Sequence, residues 1–473
     1  MRRALLPSLL LALSLVALSA CDDKPRFTQA EPGEALSGGQ TTGTTQNRTA
    51  FMQPSANLTH ERQLDFAVGN SFFRSPWVIA PSTTTARDGL GPLMNTNACQ
   101  NCHIKDGRGH PPEGDGDVSA VSMLVRVSLP PSAEMAHLIE KVGVVPDPVY
   151  GAQLQDMAIP GVVPEARIRV TYETSHVSFK DGTQVELRKP QLQISNWGYG
   201  PISPKAQFST RIAPPMIGLG LLEAIPDEAI LANAKAQKKA NNGIAGQPNY
   251  VWDDAQQRTV LGRFGLKAGQ PTLNQQNVHA FANDMGLTTT LRPFDECTPA
   301  QTACKNAPDG GEPEVSDHLL SQVLFYTRNL AVPARRKVND PQVLDGKGLF
   351  HQAGCQQCHT PQYTTRSDAA EPELANQVIR PYSDLLLHDM GAGLADNRPE
   401  FKASGNQWRT PPLWGIGLTQ TVSGHSQFLH DGRARNLLEA IAWHGGEAEA
   451  AKQHVLAYDA DQRAALLAFL NSL

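Results

Sequence analysis

The chain has 473 residues, of which 40% are hydrophobic and 18% are charged, and its formal net charge is −5. This length suggests two or three domains, and the composition is that of a folded globular protein. The slightly acidic charge, with no basic block, excludes the electrostatic footprint of a nucleic-acid-binding protein, so we expect no nucleic-acid partner.

The first 20 residues have the pattern of an export signal. Arg2 and Arg3 precede an apolar run that ends in small residues before Cys21. The run is too short to span a membrane in the mature protein, and its end is typical of a bacterial lipoprotein signal. We predict lipidation of Cys21 and a periplasmic protein anchored to a bacterial membrane, with two following aspartates favouring the inner membrane. The alternative is an ordinary cleaved signal with an incidental cysteine.

Residues 21–56 are polar and rich in Thr, Gly and Gln. This composition is typical of a flexible tether, and we expect the folded body to begin near Asn57. After it, a helical segment that contains Gly and Phe precedes a Cys-x-x-Cys-His motif twice. Residues 69–73 precede Cys99 and residues 346–350 precede Cys355, which suggests an internal duplication.

Cys-x-x-Cys-His is a haem attachment motif. Its spacing lets both sulfurs form thioethers to one porphyrin edge, and the histidine then binds the iron. A zinc site would need further cysteine ligands nearby, and a dithiol site would not explain two such copies. We therefore predict two covalently bound haem c groups, held by Cys99, Cys102 and His103 and by Cys355, Cys358 and His359.

The region between the motifs predicts both strands and helices. Alternating apolar residues over 166–195, with a turn at Asp181 and Gly182, indicate two paired strands. Helices are expected from Asp227 and after Ser316, and a last helix from about Asp459. We predict a mainly α fold with two cytochrome c-like haem domains, residues 57–335 and 336–473, and a large mixed α/β insertion between the haem motifs. Cys297 and Cys304 remain as a pair in an oxidising compartment, which predicts a disulfide rather than two free thiols.

The sixth iron position decides what each haem does, because a strong ligand there favours electron transfer and an open position favours chemistry. Leu437, Ile441 and His444 would share one face of a helix, so His444 is the candidate distal ligand of the C-terminal haem. The alternative is a buried histidine bonded to a backbone carbonyl. His110 and Met123 are weaker candidates at the N-terminal haem, which we expect to be open or weakly ligated.

Residues 428–440 resemble the second-haem segment of bacterial di-haem cytochrome c peroxidases. The wider pattern, over residues 57–473, is similar to a branch of di-haem oxidoreductases often called "thiol oxidoreductase". The matching motifs are residues 150–161, 214–226, 262–268, 385–391, 408–415 and 443–448. His444 falls where the classical peroxidases place a distal methionine, so the chain departs from their pattern there.

The resemblance implies a glutamate that moves protons in the region between the haems. Glu223, within an apolar stretch, is the candidate, because burial would raise its pKa. The alternative is a capping or surface glutamate, and Lys267 is a weaker polar candidate. Amide side chains at residues 241–242 stand where relatives carry acidic ones, so a calcium site is not favoured.

The resemblance favours a peroxidase that reduces hydrogen peroxide at the N-terminal haem, with electrons relayed by the C-terminal haem. Its expected partners are peroxide or another small oxidant and a small periplasmic electron donor of the cytochrome or cupredoxin type. Two alternatives remain, because one architecture serves several chemistries. They are a haem-dependent oxidase or oxygenase of an organic or protein substrate, and a non-enzymatic electron-transfer or iron-related lipoprotein.

Overall fold

The computed structural model describes residues 27–112 and 121–473. The predicted signal and Cys21 lie outside these residues. The helices are α1 His60–Arg74, α2 Cys99–Cys102, α3 Ala136–Val142, α4 Leu219–Glu223, α5 Asp227–Ala240, α6 Leu273–Met285, α7 Thr302–Lys305, α8 Asp317–Arg328, α9 Pro341–Ala353, α10 Thr419–Ser423, α11 Leu437–Ala442, α12 Glu449–Leu456 and α13 Ala460–Ser472. Within the described ranges, none of these helices has the length and apolar character needed to cross a membrane.

The strands pair in small antiparallel sheets. They are β1 Leu93–Met94, β2 Met123–Ser128, β3 Gln153–Leu154, β4 Met157–Ala158, β5 Arg167–Ser178, β6 Gln184–Ser195, β7 Gln207–Ile212, β8 Tyr250–Asp253, β9 Arg258–Leu261, β10 Tyr363–Thr364, β11 Val378–Ile379, β12 Leu387–Asp389 and β13 Gln407–Arg409. Strands β10 to β13 follow the second Cys-x-x-Cys-His motif. The expectation of a mainly α fold is therefore too narrow, and the described chain is a mixture of helices and short sheets.

The predicted strand pair over 166–195 is confirmed as the hairpin β5–β6, in register from Arg167 opposite Ser195 to Ser178 opposite Gln184. Gly182 at its turn has a φ of +86°, which glycine adopts without strain. The hairpin does not stay with the N-terminal half, because Phe179 belongs to the C-terminal hydrophobic core and the amide of Lys180 donates to the carbonyl of Leu456. Packing therefore crosses the predicted boundary at residue 335.

The two Gly- and Phe-containing helices make equivalent crossings. Helix α1 crosses α8 at Gly69, where a Cβ atom would lie 2.2 Å from the carbonyl oxygen of Gln322, and α9 crosses α13 at Gly346. Phe73 and Phe350 then reach aromatic rings of the partner helices, with centroids 5.2 Å from Tyr326 and 5.1 Å from Phe469. Each Cys-x-x-Cys-His motif therefore follows a helix that is fixed by the same kind of close crossing.

The interpretation of residues 21–56 as a flexible tether is wrong for the part that the structure describes from Glu34 onward. Glu34 forms a buried ion pair with Arg335, and the amide of Gly43 donates to the carbonyl of Val332 at 2.9 Å. Phe51 is 1% exposed and belongs to the central core. Polar composition suggested a tether, but its few apolar side chains and its backbone groups find partners in the body.

Cys297 and Cys304 form a disulfide, with their Cα atoms 5.8 Å apart. Of the predicted helix starts, Ser316 accepts a hydrogen bond from the amide of Leu319, and Asp459 forms a capping box with Gln462. These contacts confirm the expected starts of α8 and α13.

Candidate active site

A single cavity of about 660 Å³ connects the two Cys-x-x-Cys-His motifs. All six predicted attachment and axial residues line it, namely Cys99, Cys102, His103, Cys355, Cys358 and His359. The segment of residues 408–416 runs along the wall between the two ends. The structure therefore brings both predicted haem sites into one continuous cavity.

Both motif histidines are oriented in the same way. Nδ1 of His103 bonds the carbonyl of Pro214 at 2.8 Å, and Nδ1 of His359 bonds the carbonyl of Tyr382 at 2.9 Å. A carbonyl accepts only from N–H, so the proton is on Nδ1 and the lone pair is on Nε2. Burial lowers the pKa of each imidazole to about 4, which keeps it neutral. Each histidine thus presents the nitrogen form that binds iron.

The four motif cysteines form no disulfide, and they are buried or half-buried. Burial raises the pKa of the Cys99 and Cys355 thiols to about 12. Cys102 and Cys358 line the same cavity beside their motif histidines. At each motif, two cysteines and a neutral histidine lie beside one largely apolar cavity. This arrangement fits a haem that is attached by two thioethers and bound by the histidine.

His444 lines the cavity at its C-terminal end. Leu437, Ala440 and Ile441 line the cavity with it, as the predicted helix face requires, although α11 ends at Ala442 and His444 lies just beyond it. Its Nδ1 bonds the carbonyl of Ala440 at 2.7 Å, which leaves Nε2 unprotonated. His444 therefore makes the hydrogen bond to a backbone carbonyl that the alternative predicted. This bond uses Nδ1 only, so Nε2 of this cavity-lining residue remains available to a ligand.

Neither weaker candidate for the N-terminal haem is among the described residues that line the cavity. The ring of His110 packs against the ring of His425, with centroids 5.0 Å apart, and Met123 is 1% exposed in β2. Both side chains are occupied elsewhere, so neither supplies a distal ligand in this arrangement.

Glu223 is also outside the residues that line the cavity. Oε1 accepts a hydrogen bond from the amide of Leu273 at 2.8 Å, and Oε2 pairs with Arg328 at 2.7 Å. The carboxylate therefore stabilises the start of α6 and fixes α8. These contacts are those of the alternative, a capping glutamate, and they do not support the predicted role of a catalytic acid and base.

One family model covers most of the chain. The model of the family "Di-haem oxidoreductase, putative peroxidase" matches residues 33–473. The chain belongs to this di-haem oxidoreductase family. No curated protein and no solved structure is detectably similar to it. The match starts before the predicted boundary at Asn57, in agreement with the packing of the segment after Glu34.

Two charged residues of this di-haem oxidoreductase that sequence reasoning missed lie on the cavity wall. Arg126 in β2 is half-buried, and its Nε has no hydrogen-bond partner among the described residues. Asp284, near the end of α6, accepts one hydrogen bond from Gln153 at 2.9 Å. Burial raises the pKa of the Asp284 carboxyl, although the nearby Arg126 opposes that effect. Asp284 in turn raises the pKa of Cys99 and Cys102, which places it beside the N-terminal motif.

A third missed residue, His388, lies beside the C-terminal motif. Its Nε2 is 2.8 Å from Asp384 and its Nδ1 is 2.7 Å from Glu447, with Sγ of Cys358 at 3.6 Å. Burial disfavours the charged form, but the hydrogen bonds to the carboxylates prevail and raise the pKa of His388 to about 12. An imidazolium held by two carboxylates therefore lies beside the C-terminal Cys-x-x-Cys-His motif. His388 lies in the motif of residues 385–391, but the sequence did not show that Glu447, 59 residues further along, would meet it. Nothing in the local sequence distinguished Arg126 or Asp284.

Lys267, the other polar candidate, is fully buried. Its ammonium group lies 2.8 Å from Asp396 and 4.5 Å from the ring centre of Trp408. It supports the wall between the two motifs. In the ranges 27–112 and 121–473, no three His, Cys, Asp or Glu side chains are grouped to hold a metal ion.

Proposed function

We propose that this di-haem oxidoreductase is a peroxidase with two covalent haem c groups in cytochrome c-like surroundings. Hydrogen peroxide would be reduced at the N-terminal haem, with electrons relayed by the C-terminal haem. The observation that carries the proposal is the shared cavity, which holds both motifs and has Arg126 and Asp284 on its wall near the N-terminal one.

The side chains near the N-terminal motif suit the polar part of peroxide reduction. A half-buried guanidinium with an uncommitted N–H stabilises negative charge that develops next to it. Burial raises the pKa of the Asp284 carboxyl, which makes this group better suited than a solvent-exposed aspartate to give a proton to a departing oxygen. Arg126 would thus orient the substrate, and Asp284 would take the role predicted for Glu223.

The residues at the C-terminal motif support an electron-transfer role. His359 and His444 both line the cavity, and a backbone carbonyl holds Nδ1 of each ring, so Nε2 is the unprotonated nitrogen of both. Two strong imidazole ligands leave no open iron position, so His359 and His444 would hold this haem for relay rather than for chemistry.

Peroxide turnover by the purified holoprotein tests the proposal. Asp284→Asn should slow turnover by roughly 10²–10⁴-fold, the usual contribution of a positioned acid or base. The haem content should remain two per chain, which shows that the site is otherwise intact. Glu223→Gln is the matched control, because it removes a buried carboxylate outside the cavity. Unchanged turnover in Asp284→Asn would show that Asp284 is not the proton donor. A wild-type holoprotein that does not turn over peroxide would contradict the proposed peroxidase function.

We further propose that the protein is held at the periplasmic face of a bacterial membrane by lipid on Cys21, where a small cytochrome or cupredoxin would donate electrons. The export signal supports this location. Cys21→Ser should move the protein from the membrane fraction to the soluble fraction. An unlipidated wild-type protein in the soluble fraction would contradict the anchor.

A further inference from the structure

A second cavity, of about 470 Å³, lies between the β5–β6 hairpin and the segment that carries His430. One wall is apolar and aromatic, with Leu192, Ile194, Trp197 and Phe208 among its residues. The ring of Trp197 is supported from behind by Tyr150, with centroids 4.9 Å apart. The wall therefore offers a flat apolar surface whose main aromatic ring is fixed in place.

The opposite side of this cavity is polar, but its charges are compensated. Asp431 pairs with Arg433 at 2.7 Å, and Asp396 pairs with Lys267 at 2.8 Å. A charged ligand would have to compete with these pairs and lose its own hydration. The cavity therefore favours a neutral ligand.

His430 belongs to the motif of residues 428–440, yet the proposed peroxidase function gives it no role. It lines both cavities and stacks on Trp408, with ring centroids 3.8 Å apart and an interplanar angle of 13°. Burial lowers the pKa of His430 to about 4, so the imidazole is neutral. Its Nε2 lies 3.4 Å from Oδ2 of Asp431, and a proton on Nε2 would leave Nδ1 able to accept one hydrogen bond. The stacked pair of His430 and Trp408 forms a shared wall between the two cavities.

We propose that the second cavity is a binding site for a neutral hydroxyarene, a ligand of the phenol class. Its ring would pack against Trp197 and the aliphatic wall, because aromatic rings favour such contacts, and its hydroxyl would donate to His430. An apolar ring with one donor matches a site that has an aromatic wall on one side and hydrogen-bond acceptors on the other, among them neutral His430 and Oδ2 of Asp396, which has no hydrogen-bond partner among the described residues. The ligand would lie at the edge of the His430 ring, where the nitrogen lone pair is, next to the stacked pair that lines the haem cavity. This site is independent of the proposed peroxide chemistry.

Calorimetric titration of the purified holoprotein, with phenol and with methoxybenzene as probes, tests the site. Phenol should bind saturably, and methoxybenzene should bind more weakly because it has no hydroxyl donor. His430→Phe keeps a stacked ring but removes the acceptor, so it should weaken phenol binding about tenfold and leave methoxybenzene unchanged. Equal binding of the two probes to the wild type would overturn the proposed orientation.

A second experiment fills the cavity with a larger side chain. Leu192→Trp should abolish binding of both probes, whereas Gln193→Trp adds the same ring on the opposite, exposed face of β6 and should leave binding unchanged. Unchanged phenol affinity in Leu192→Trp would show that phenol binds elsewhere, including the haem cavity, and would reject the site. If Leu192→Trp does not fold, as judged from haem content and melting, His430→Phe alone decides the proposal.

Discussion

Gly346 of α9 packs directly against Ala465 of α13, so closely that a Cβ atom on Gly346 would lie 1.9 Å from the carbonyl oxygen of Ala465. Gly69 has the same relationship to α8, at 2.2 Å from the carbonyl oxygen of Gln322. Backbone cannot move aside as a flexible side chain can. At both crossings, a side chain on the glycine would therefore force the two helices apart.

We predict that Gly346→Ala and Gly69→Ala each lower the free energy of unfolding by about 1–3 kcal/mol, because the added methyl group overpacks a helix crossing. Chemical denaturation of the holoprotein measures this loss. Gly43→Ala is the control, since its Cβ would make only an ordinary contact of 3.4 Å with Ala331. Equal stability of all three variants would contradict the close crossings.

Haem attachment is predicted to be covalent and separable between the two motifs. The double variant Cys99→Ala, Cys102→Ala should retain one haem per chain after denaturation, because thioethers survive unfolding and only one pair of cysteines remains. Mass spectrometry gives the count. The double variant Cys297→Ser, Cys304→Ser should keep two haems, since these cysteines form the disulfide. Loss of all haem from the denatured wild type would show that attachment is not covalent.

Removing His444 should change the spin state of one haem. Its Nε2 is free in the cavity, so His444→Ala should convert a low-spin haem to a high-spin haem in the absorption spectrum. His444→Met should instead raise the reduction potential of that haem. His110→Ala should leave both spectra nearly unchanged, because His110 does not line the cavity. A low-spin spectrum that survives in His444→Ala would remove the ligand assignment.

Glu223 is expected to act on stability rather than on turnover. Glu223→Gln removes the charge that pairs with Arg328 and places an amide donor near a guanidinium, so it should cost about 1–3 kcal/mol of unfolding free energy. Peroxide turnover of the folded variant should equal that of the wild type. A slower turnover at unchanged stability would restore the catalytic role that the structure argues against.

Glu165 should make the free energy of unfolding decrease as the pH rises. Burial raises the pKa of this carboxyl from 4.5 to about 8, so the native state keeps a proton that the unfolded chain has already lost. The stabilisation is complete below the unfolded value and is lost as pH rises through the native value. Glu165→Gln should therefore narrow the difference in melting temperature between about pH 5 and about pH 8. Glu134→Gln, at an exposed position, should not. An unchanged difference in Glu165→Gln would contradict this assignment.

The sequence alone determined the features that are local in the chain. Cys-x-x-Cys-His spacing, the capping residues at Ser316 and Asp459, and the alternation in β5–β6 each depend on neighbours within a few residues. For the same reason, the face of α11 that leads to His444 could be predicted. The motifs also indicated the family, because residue types and their spacing are enough to carry that resemblance.

Only the tertiary structure decided what depends on distant partners. An apolar sequence around Glu223 indicates burial, but it cannot show that Leu273 and Arg328 occupy both carboxylate oxygens. Conversely, Asp284 and Arg126 are ordinary in their local sequence and become notable only where β2 and α6 meet the cavity. Chemical roles at this site follow from which buried polar groups find partners, and long-range contacts determine those partners.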